Sequence, residues 1–315
     1  MLPLIRKEIQ NQADELRRQF LSNDPFPHLA IDDFLDADFC CYLIREFPAF
    51  DRQHAQNELG EVGGKAVFQE LARLGPAYGA FDSMIRSGEF LSFLSRLTGI
   101  PKLLYDPEYV GGGTHENLAG QELDPHVDFN YHPKTNLHRR LNLILYLNEN
   151  WKPEWGGSLE LHLNPWLPRG EDRVRSIEPL ANRCVIFETS ERSWHGFRKI
   201  EIPSEYAGVS RRSIAVYFYT RERPAQETAP PHSTVYAPRP LPEHLKPGHV
   251  LREEDLEALT VLLARRDMQI RFLYEREVEF SSALAALPRS FSFRLGRALT
   301  WPARRAARLL GIRRN

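Results

Sequence analysis

The sequence predicts an α+β protein with a mainly β core, N-terminal supporting helices and a C-terminal helical extension. In two segments, 141–148 and 211–219, every second residue belongs to one mainly apolar set, and this period of two is typical of strands. Apolar residues at helical spacing occur in residues 4–22 and again beyond residue 250. The 315-residue length is enough for one sizeable core and an appendage.

The N-terminal part contains three predicted elements. Residues 4–22 form an amphipathic helix, Phe26–Ile31 a strand, and Asp36–Phe47 a second helix. We expect the two helices to cover the outer face of the main sheet. The polar stretch 54–65 is predicted to be a loop over the functional site.

The segment 141–148 predicts a strand with two different faces. Its four leucines fall on one face, while Asn142, Ile144 and Tyr146 fall on the other. The leucine face is predicted to be core, so the opposite face is available to line a pocket.

The late strand 211–219 places Arg211 and Ser213 on one face. A guanidinium group can bind both oxygens of a carboxylate, and a hydroxyl group adds a third donor. The pair therefore predicts a carboxylate receptor, to which Tyr146 can contribute. A shift of one residue in the strand would give this role to Arg212 instead.

His126 and Asp128 are two residues apart, so on a strand they point to the same face. His195, in a second strand, can complete a set of two imidazoles and one carboxylate. This ligand set favours Fe(II) oxygen chemistry, because it leaves three positions open on an octahedral ion. The alternative is a polar loop pair and an unrelated, half-buried histidine.

Two arginines follow the His-x-Asp pair at positions 139 and 140. They favour an anionic substrate, but a solvated basic turn explains them equally well.

These residues together resemble the Fe(II)/2-oxoglutarate-dependent oxygenase superfamily, in its prolyl-4-hydroxylase-like branch. The resemblance rests on His126-x-Asp128, His195, Arg211-x-Ser213 and the run from Tyr146 to Leu161. It covers residues 105–221 closely and the N-terminal segment loosely. It implies a double-stranded β-helix, or jelly roll, around the metal.

By this resemblance His126, Asp128 and His195 are the iron ligands and catalytic residues. Arg211 binds the distal carboxylate of 2-oxoglutarate, supported by Ser213 and Tyr146. The implied reaction consumes O2, converts 2-oxoglutarate to succinate and hydroxylates a C–H bond, and ascorbate dependence is a further expectation. The presence of Asp128 argues against the halogenation carried out by relatives that lack this carboxylate.

The motifs do not specify the substrate. A prolyl residue, a free amino acid and a glycan or lipid intermediate are all compatible. Two other functions stay open: a catalytically silent jelly-roll module that binds a sugar or small molecule, and a metal hydrolase with no 2-oxoglutarate pocket.

Composition narrows the cellular setting. A net charge of −1 predicts no general affinity for nucleic acid. The three cysteines form no Cys-x-x-Cys motif, which is typical of a reducing compartment. With neither a signal peptide nor a membrane span evident, we expect a cytoplasmic enzyme.

A change in composition after residue 220 predicts domain boundaries. We assign residues 1–222 to the oxygenase domain, 223–249 to a linker and 250–315 to a helical extension with a basic amphipathic tail. Seven prolines between Pro224 and Pro247 favour an extended linker.

The extension carries two predicted interaction surfaces. Apolar residues at near-heptad spacing in residues 252–280 favour packing on the enzyme or a homodimer. Residues 289–315 hold eight arginines and no acidic residue, which favours peripheral contact with an anionic membrane, such as the inner membrane surface. A frayed tail, or a helix docked on the acidic remainder of the chain, is the alternative.

Overall fold

A computed structural model describes residues 2–50, 66–168, 170–242 and 244–309, with side chains described as far as residue 301. The predicted loop at residues 54–65 lies outside the described residues. The chain divides into two compact units, Met1–Pro240 and Leu241–Asn315.

The described part of the first unit contains five α-helices, two of which begin at a capping side chain. They are α1 (Lys7–Asn11), α2 (Ala13–Ser22), α3 (Ala37–Arg45), α4 (Pro76–Ile85) and α5 (Gly88–Thr98). The side chain of Asp36 accepts a hydrogen bond from the Phe39 amide at the start of α3. Ser87 caps α5 in the same way, and Gly99 ends it with φ 78°. The N-terminal helix predicted at residues 4–22 is thus two helices, α1 and α2.

The described residues contain twelve strands. In chain order they are β1 (His28–Ile31), β2 (Ala66–Phe68), β3 (Leu104–Tyr105), β4 (Gly113–Asn117), β5 (Leu123–Val127), β6 (His138–Tyr146), β7 (Leu159–His162), β8 (Val174–Ile177), β9 (Cys184–Glu188), β10 (Trp194–Phe197), β11 (Arg211–Thr220) and β12 (Val235–Tyr236). They form two antiparallel sheets, which together with the helices fit the jelly-roll class of fold.

The larger sheet has the order β1-β9-β6-β11-β4-β2, with β3 paired to the end of β11. The smaller sheet has the order β12-β5-β10-β7-β8. In the larger sheet Ser213 lies opposite Tyr146. In the smaller sheet His195 lies opposite His126. Each sheet therefore brings together residues that are far apart in the sequence.

The two faces of β6 differ as the alternation predicts. Leu141, Leu143 and Leu145 are buried in one cluster with residues of α2 to α5. Side chains of β11 join them, and the rings of Phe90 and Phe218 lie 6.0 Å apart between their centroids. Burial of one such leucine stabilises the fold by about 1.5–3 kcal/mol. The helices thus cover one face of the larger sheet and leave its other face for the site.

Residues 224–240 differ from the predicted linker, because the structure places them in the first unit. The segment is extended, as its prolines predict, but it is held along the smaller sheet. Its strand β12 pairs with β5, with Tyr236 opposite His126. The division between the units follows Pro240 rather than residue 222.

The second unit contains two helices, α6 (Glu253–Ala286) and α7 (Phe291–Leu309). Apolar side chains on α6 are exposed, among them Leu256, Leu263, Ile270 and Leu273. None of the described helices combines the length and apolar composition needed to cross a bilayer.

Candidate metal and 2-oxoglutarate site

The three predicted metal ligands converge in the structure. The donor atoms of His126, Asp128 and His195 all lie within 4.8 Å of one another. His126 Nε2 is 3.7 Å from Asp128 Oδ1, and His195 Nε2 is 3.6 Å from Asp128 Oδ2. His126 lies on β5 and His195 on the adjacent β10, and Asp128 follows the last residue of β5. Strand pairing therefore builds the group.

Both imidazoles are oriented by backbone carbonyl groups. Nδ1 of His126 lies 3.0 Å from the Asp124 carbonyl oxygen, and Nδ1 of His195 lies 2.9 Å from that of Ser193. Since a carbonyl oxygen only accepts, each Nδ1 carries the proton and each Nε2 presents its lone pair. This is the tautomer that a metal ion requires from both rings.

The carboxylate of Asp128 is held by two residues of β6. Arg139 Nη2 lies 3.0 Å from Asp128 Oδ2, and Asn142 donates to the same oxygen at 2.8 Å. Oδ1 receives no hydrogen bond from any residue that the structure describes. Burial alone would raise the pKa of Asp128. The positive charge of Arg139 and the two histidines lower this pKa by a larger amount, so it lies below its ordinary value. The carboxylate is therefore ionised at neutral pH with one oxygen available.

Burial lowers the pKa of His195 below its ordinary value, and only part of this effect is offset by Asp128. A neutral imidazole is the ligand form. The set of two imidazoles and one carboxylate, with both Nε2 atoms directed at the carboxylate, fits an Fe(II) ion.

The Arg139 side chain is 1% exposed, which corrects the prediction of a solvated basic turn. Its guanidinium group also hydrogen-bonds Asn142 Oδ1 and lies 3.6 Å and 4.5 Å from the ring centroids of Tyr217 and Phe129. Arg140 is buried as well, and pairs with Glu188 and Glu227. Both arginines already have carboxylate partners within the protein.

Arg211 is a buried cation with a different environment. Its Nε donates to the Gly157 carbonyl oxygen at 2.6 Å, and its Nη2 donates to the Tyr146 hydroxyl oxygen at 3.1 Å. Its guanidinium group lies 4.3 Å from the centroid of the Phe197 ring. None of the described carboxylates forms an ion pair with it, and burial lowers its pKa. A buried guanidinium group with no anion beside it is a site for an anionic ligand.

Arg212 occupies the opposite face of β11. Its Nε contacts Glu116 at 3.1 Å and the Ser210 hydroxyl at 3.0 Å. Ser213 is buried and lies opposite Tyr146 in the pairing of β11 with β6. Since Tyr146 contacts Arg211, Ser213 lies beside the Arg211 guanidinium group. Of the two arginines, only Arg211 therefore shares a face with Ser213 and Tyr146.

Residues 113–219 match the 2OG-Fe(II) oxygenase superfamily. This part of the chain is therefore similar to a 2OG-Fe(II) oxygenase domain. A curated relative, prolyl 3-hydroxylase OGFOD1 from Mus musculus, is 27% identical over 230 residues, covering 67% of this chain and 36% of the relative. The chain thus spans about a third of the length of that protein.

Two solved structures of prolyl hydroxylases are also similar. One, from Trichoplax adhaerens in complex with a hypoxia inducible factor peptide, has a TM-score of 0.47 and 18% identity, covering 68% of this chain and 91% of that chain. The other, a prolyl-4-hydroxylase from Pseudomonas putida, has a TM-score of 0.43 and 17% identity, covering 67% and 100%.

Several residues of the site have no predicted role. Asn142 falls on the predicted pocket face of β6, but the alternation does not reveal that it binds Asp128. Tyr236 lies in the predicted linker, and its ring centroid is 5.3 Å from that of His126. Only the chain topology brings these residues to the site.

Proposed function

We propose that this protein is an Fe(II)- and 2-oxoglutarate-dependent dioxygenase that hydroxylates a C–H bond of an organic substrate. The observation that carries the proposal is the presence of two complementary groups in one domain. One is a ligand set suited to Fe(II), and the other is a buried arginine with no carboxylate partner among the described residues. We also propose that the two sheets form a double-stranded β-helix around them.

His126, Asp128 and His195 would hold the iron. Bound Fe(II) supplies the capacity to activate O2 for C–H oxidation, coupled to decarboxylation of 2-oxoglutarate to succinate. The Asp124 and Ser193 carbonyl groups keep the two imidazoles in the ligating tautomer. Arg139 and Asn142 fix the plane of the Asp128 carboxylate, so that its free oxygen faces His126.

Arg211 would bind the distal carboxylate of 2-oxoglutarate. Tyr146 and Ser213 would add hydrogen bonds, because both lie on the same sheet face as Arg211. The buried position excludes water and strengthens an ion pair. A silent binding module would not need both this receptor and the metal ligands, so the oxygenase function is favoured.

Binding of 2-oxoglutarate tests the proposal. With Mn(II) present and O2 excluded, we expect calorimetry to detect one 2-oxoglutarate per chain, and we expect Arg211→Ala to lose at least about 100-fold in affinity. Arg212→Ala is the matched control and should keep the native affinity. Absence of binding in the native chain, or equal losses in both variants, would refute the assignment.

For the substrate we propose a prolyl residue of a protein or peptide, since the relative named above is a prolyl 3-hydroxylase. Free amino acids and glycan or lipid intermediates are the other candidates. Substrate-stimulated succinate formation with proline-containing peptides supports the proposal. Stimulation by a free amino acid or a saccharide, but by no peptide, would reject it.

We further propose that the basic tail contacts an anionic membrane surface. On α7, Phe291, Leu295 and Leu299 recur at helical spacing and are exposed, while Arg294 and Arg297 lie on another face of the helix. Each basic residue near such a surface contributes about 1 kcal/mol. Salt-sensitive sedimentation of the full chain with anionic but not neutral vesicles is the expected result. Equal sedimentation with anionic and neutral vesicles would reject the proposal. A cytoplasmic location stays a prediction.

The exposed apolar residues of α6 support a homodimer through residues 252–280. Light scattering of the full chain should then give twice the monomer mass, and Leu263→Glu with Ile270→Glu should give the monomer mass. A native monomer would exclude this interface.

A further inference from the structure

We propose that His244, His249 and Asp255 form a second metal site, for a divalent cation such as Zn(II), at the start of α6. His244 Nε2 lies 2.6 Å from Asp255 Oδ1, and His249 Nε2 lies 2.7 Å from Asp255 Oδ2. All three donor atoms lie within 4.8 Å of one another. All three residues belong to the second unit, and none of them is a member of the proposed oxygenase site.

The ligand chemistry suits a cation of intermediate hardness. Imidazole nitrogen and carboxylate oxygen are ordinary Zn(II) ligands, and three protein ligands leave a fourth position for water. The Asp255 side chain is 6% exposed, whereas that of His244 is 56% exposed. The anionic ligand is therefore fixed within the protein, and an ion can enter from the His244 side.

Asp255 is already positioned by the helix. It is the third residue of α6, and its Oδ2 accepts a hydrogen bond from the Arg252 amide at 2.9 Å. This contact fixes the carboxylate before any ion binds.

Local charge favours a cation at this position. A helix N-terminus carries a partial charge of about +0.5, which would repel a metal ion. The first turn of α6, however, contains three carboxylates, from Glu253, Glu254 and Asp255. Their combined charge is several times larger and has the opposite sign.

The alternative is that the two histidines only form hydrogen bonds to Asp255 and that the group binds no metal. Zn(II) ligands at about 2.0–2.2 Å in a tetrahedron lie about 3.4 Å from one another. The two imidazoles would therefore have to move by less than about 1 Å from their hydrogen-bonded positions to admit an ion. His244 precedes the helix in an exposed turn and its side chain is 56% exposed, so little packing opposes such a shift of its ring.

The experiment uses the full chain carrying His126→Ala and His195→Ala, which removes the oxygenase ligands. We expect this protein to bind one Zn(II), and to give one equivalent of a Co(II) visible absorption band typical of nitrogen and oxygen ligands. Addition of His244→Ala and His249→Ala should abolish both signals. Addition of His232→Ala is the matched control and should leave them unchanged, since His232 also pairs with a carboxylate, that of Glu191.

Asp255→Asn provides a second variant, because an amide oxygen can still accept from the Arg252 amide. In the same background we expect at least about tenfold weaker Zn(II) binding, with the helix content unchanged by circular dichroism. No Zn(II) binding by the His126→Ala/His195→Ala chain would overturn the proposal. Binding that survives loss of both His244 and His249 would overturn it too. Neither result depends on whether the oxygenase site is active.

Discussion

Asp128 is a largely buried carboxylate, 12% exposed, that stays ionised because of the groups around it. Burial alone raises its pKa, yet the adjacent Arg139 guanidinium and the two histidines lower the pKa by more. Arg139 in turn is enclosed by Tyr217, Phe129 and Asn142. Residues outside the ligand set therefore determine how the metal ligand is presented.

Asn142→Ala should weaken metal binding without unfolding the protein. The substitution removes the 2.8 Å hydrogen bond to Asp128 Oδ2 and frees the carboxylate to rotate. Partners of metal ligands typically contribute about 10–100-fold to affinity, and we expect a loss of this size. Competition of Mn(II) with a chelating dye measures the affinity.

Asn164→Ala is the matched control for this experiment. Asn164 lies in the turn after β7, where its side chain accepts a hydrogen bond from the Trp166 amide. The Asn164→Ala substitution should leave the Mn(II) affinity unchanged. Equal affinities for the native chain and Asn142→Ala would contradict a positioning role for Asn142.

Lowering the pH should destabilise the metal-free protein. Burial lowers the pKa of both His28 and His195 below the ordinary value of 6.5. Below that value the unfolded chain binds more protons than the folded one, so stability falls as the pH falls. Urea unfolding should give a smaller free energy at about pH 5 than at about pH 7.

His28→Gln should flatten this pH dependence, because the lowered pKa of the His28 ring then no longer contributes to it. His232→Gln should not, since its ring is paired with Glu191 at the surface. A free energy of unfolding that is constant between the two pH values would show that burial of these rings is not linked to protonation.

At the residue scale, the sequence predicts the metal ligands but not their partners. His126, Asp128 and His195 follow from residue type and strand geometry, and the structure brings them together. Arg139 could not be assigned, because alternation along a strand gives the face of a residue and not its contact on another element. Its position after a turn made burial and solvation equally compatible with the sequence.

At the level of elements, β11 follows its predicted phase. Ile214, Val216 and Phe218 are buried against the helices, while Arg211 faces Tyr146. The phase is predictable because a shift of one residue would turn Arg211 and Ser213 toward the apolar core and Ile214, Val216 and Phe218 away from it. The prediction failed for residues 224–240, where proline content indicated an extended chain but could not indicate pairing with β5.

This segment is held at several points. Arg223 donates to the carbonyl oxygens of Arg139 and Thr189, and Arg239 donates to those of Leu123 and Phe197. Asn130, two residues after Asp128, donates to the Pro230 carbonyl oxygen. Through Arg239 the segment thus contacts both β5 and β10, the strands that carry the two histidines of the proposed metal site.

A chain ending at residue 240 should be more stable than one ending at residue 222. The shorter chain loses these hydrogen bonds and the pairing of β12 with β5, which leaves an open sheet edge beside His126. Thermal unfolding should show a lower midpoint for the shorter chain, and its Mn(II) affinity should fall. Identical midpoints and affinities would mean that residues 223–240 act as a linker.

At the scale of the whole molecule, charge is distributed unevenly. The net charge of −1 is the sum of a basic tail, with eight arginines in residues 289–315, and an acidic remainder of the chain. The sequence predicts that the second unit is helical, and α6 and α7 agree with this. It did not indicate the His244, His249 and Asp255 group, because the three residues meet only when the turn folds back on the start of α6.

Succinate formation from 2-oxoglutarate tests the proposed oxygenase activity directly. Native protein with Fe(II), O2 and ascorbate should form succinate even without substrate, at a slow rate. His126→Ala and Arg211→Ala should form none, whereas Arg212→Ala should match the native protein. The proposed oxygenase activity is contradicted if the native protein forms no succinate under these conditions. The proposed role of Arg211 is contradicted if Arg211→Ala retains the native rate.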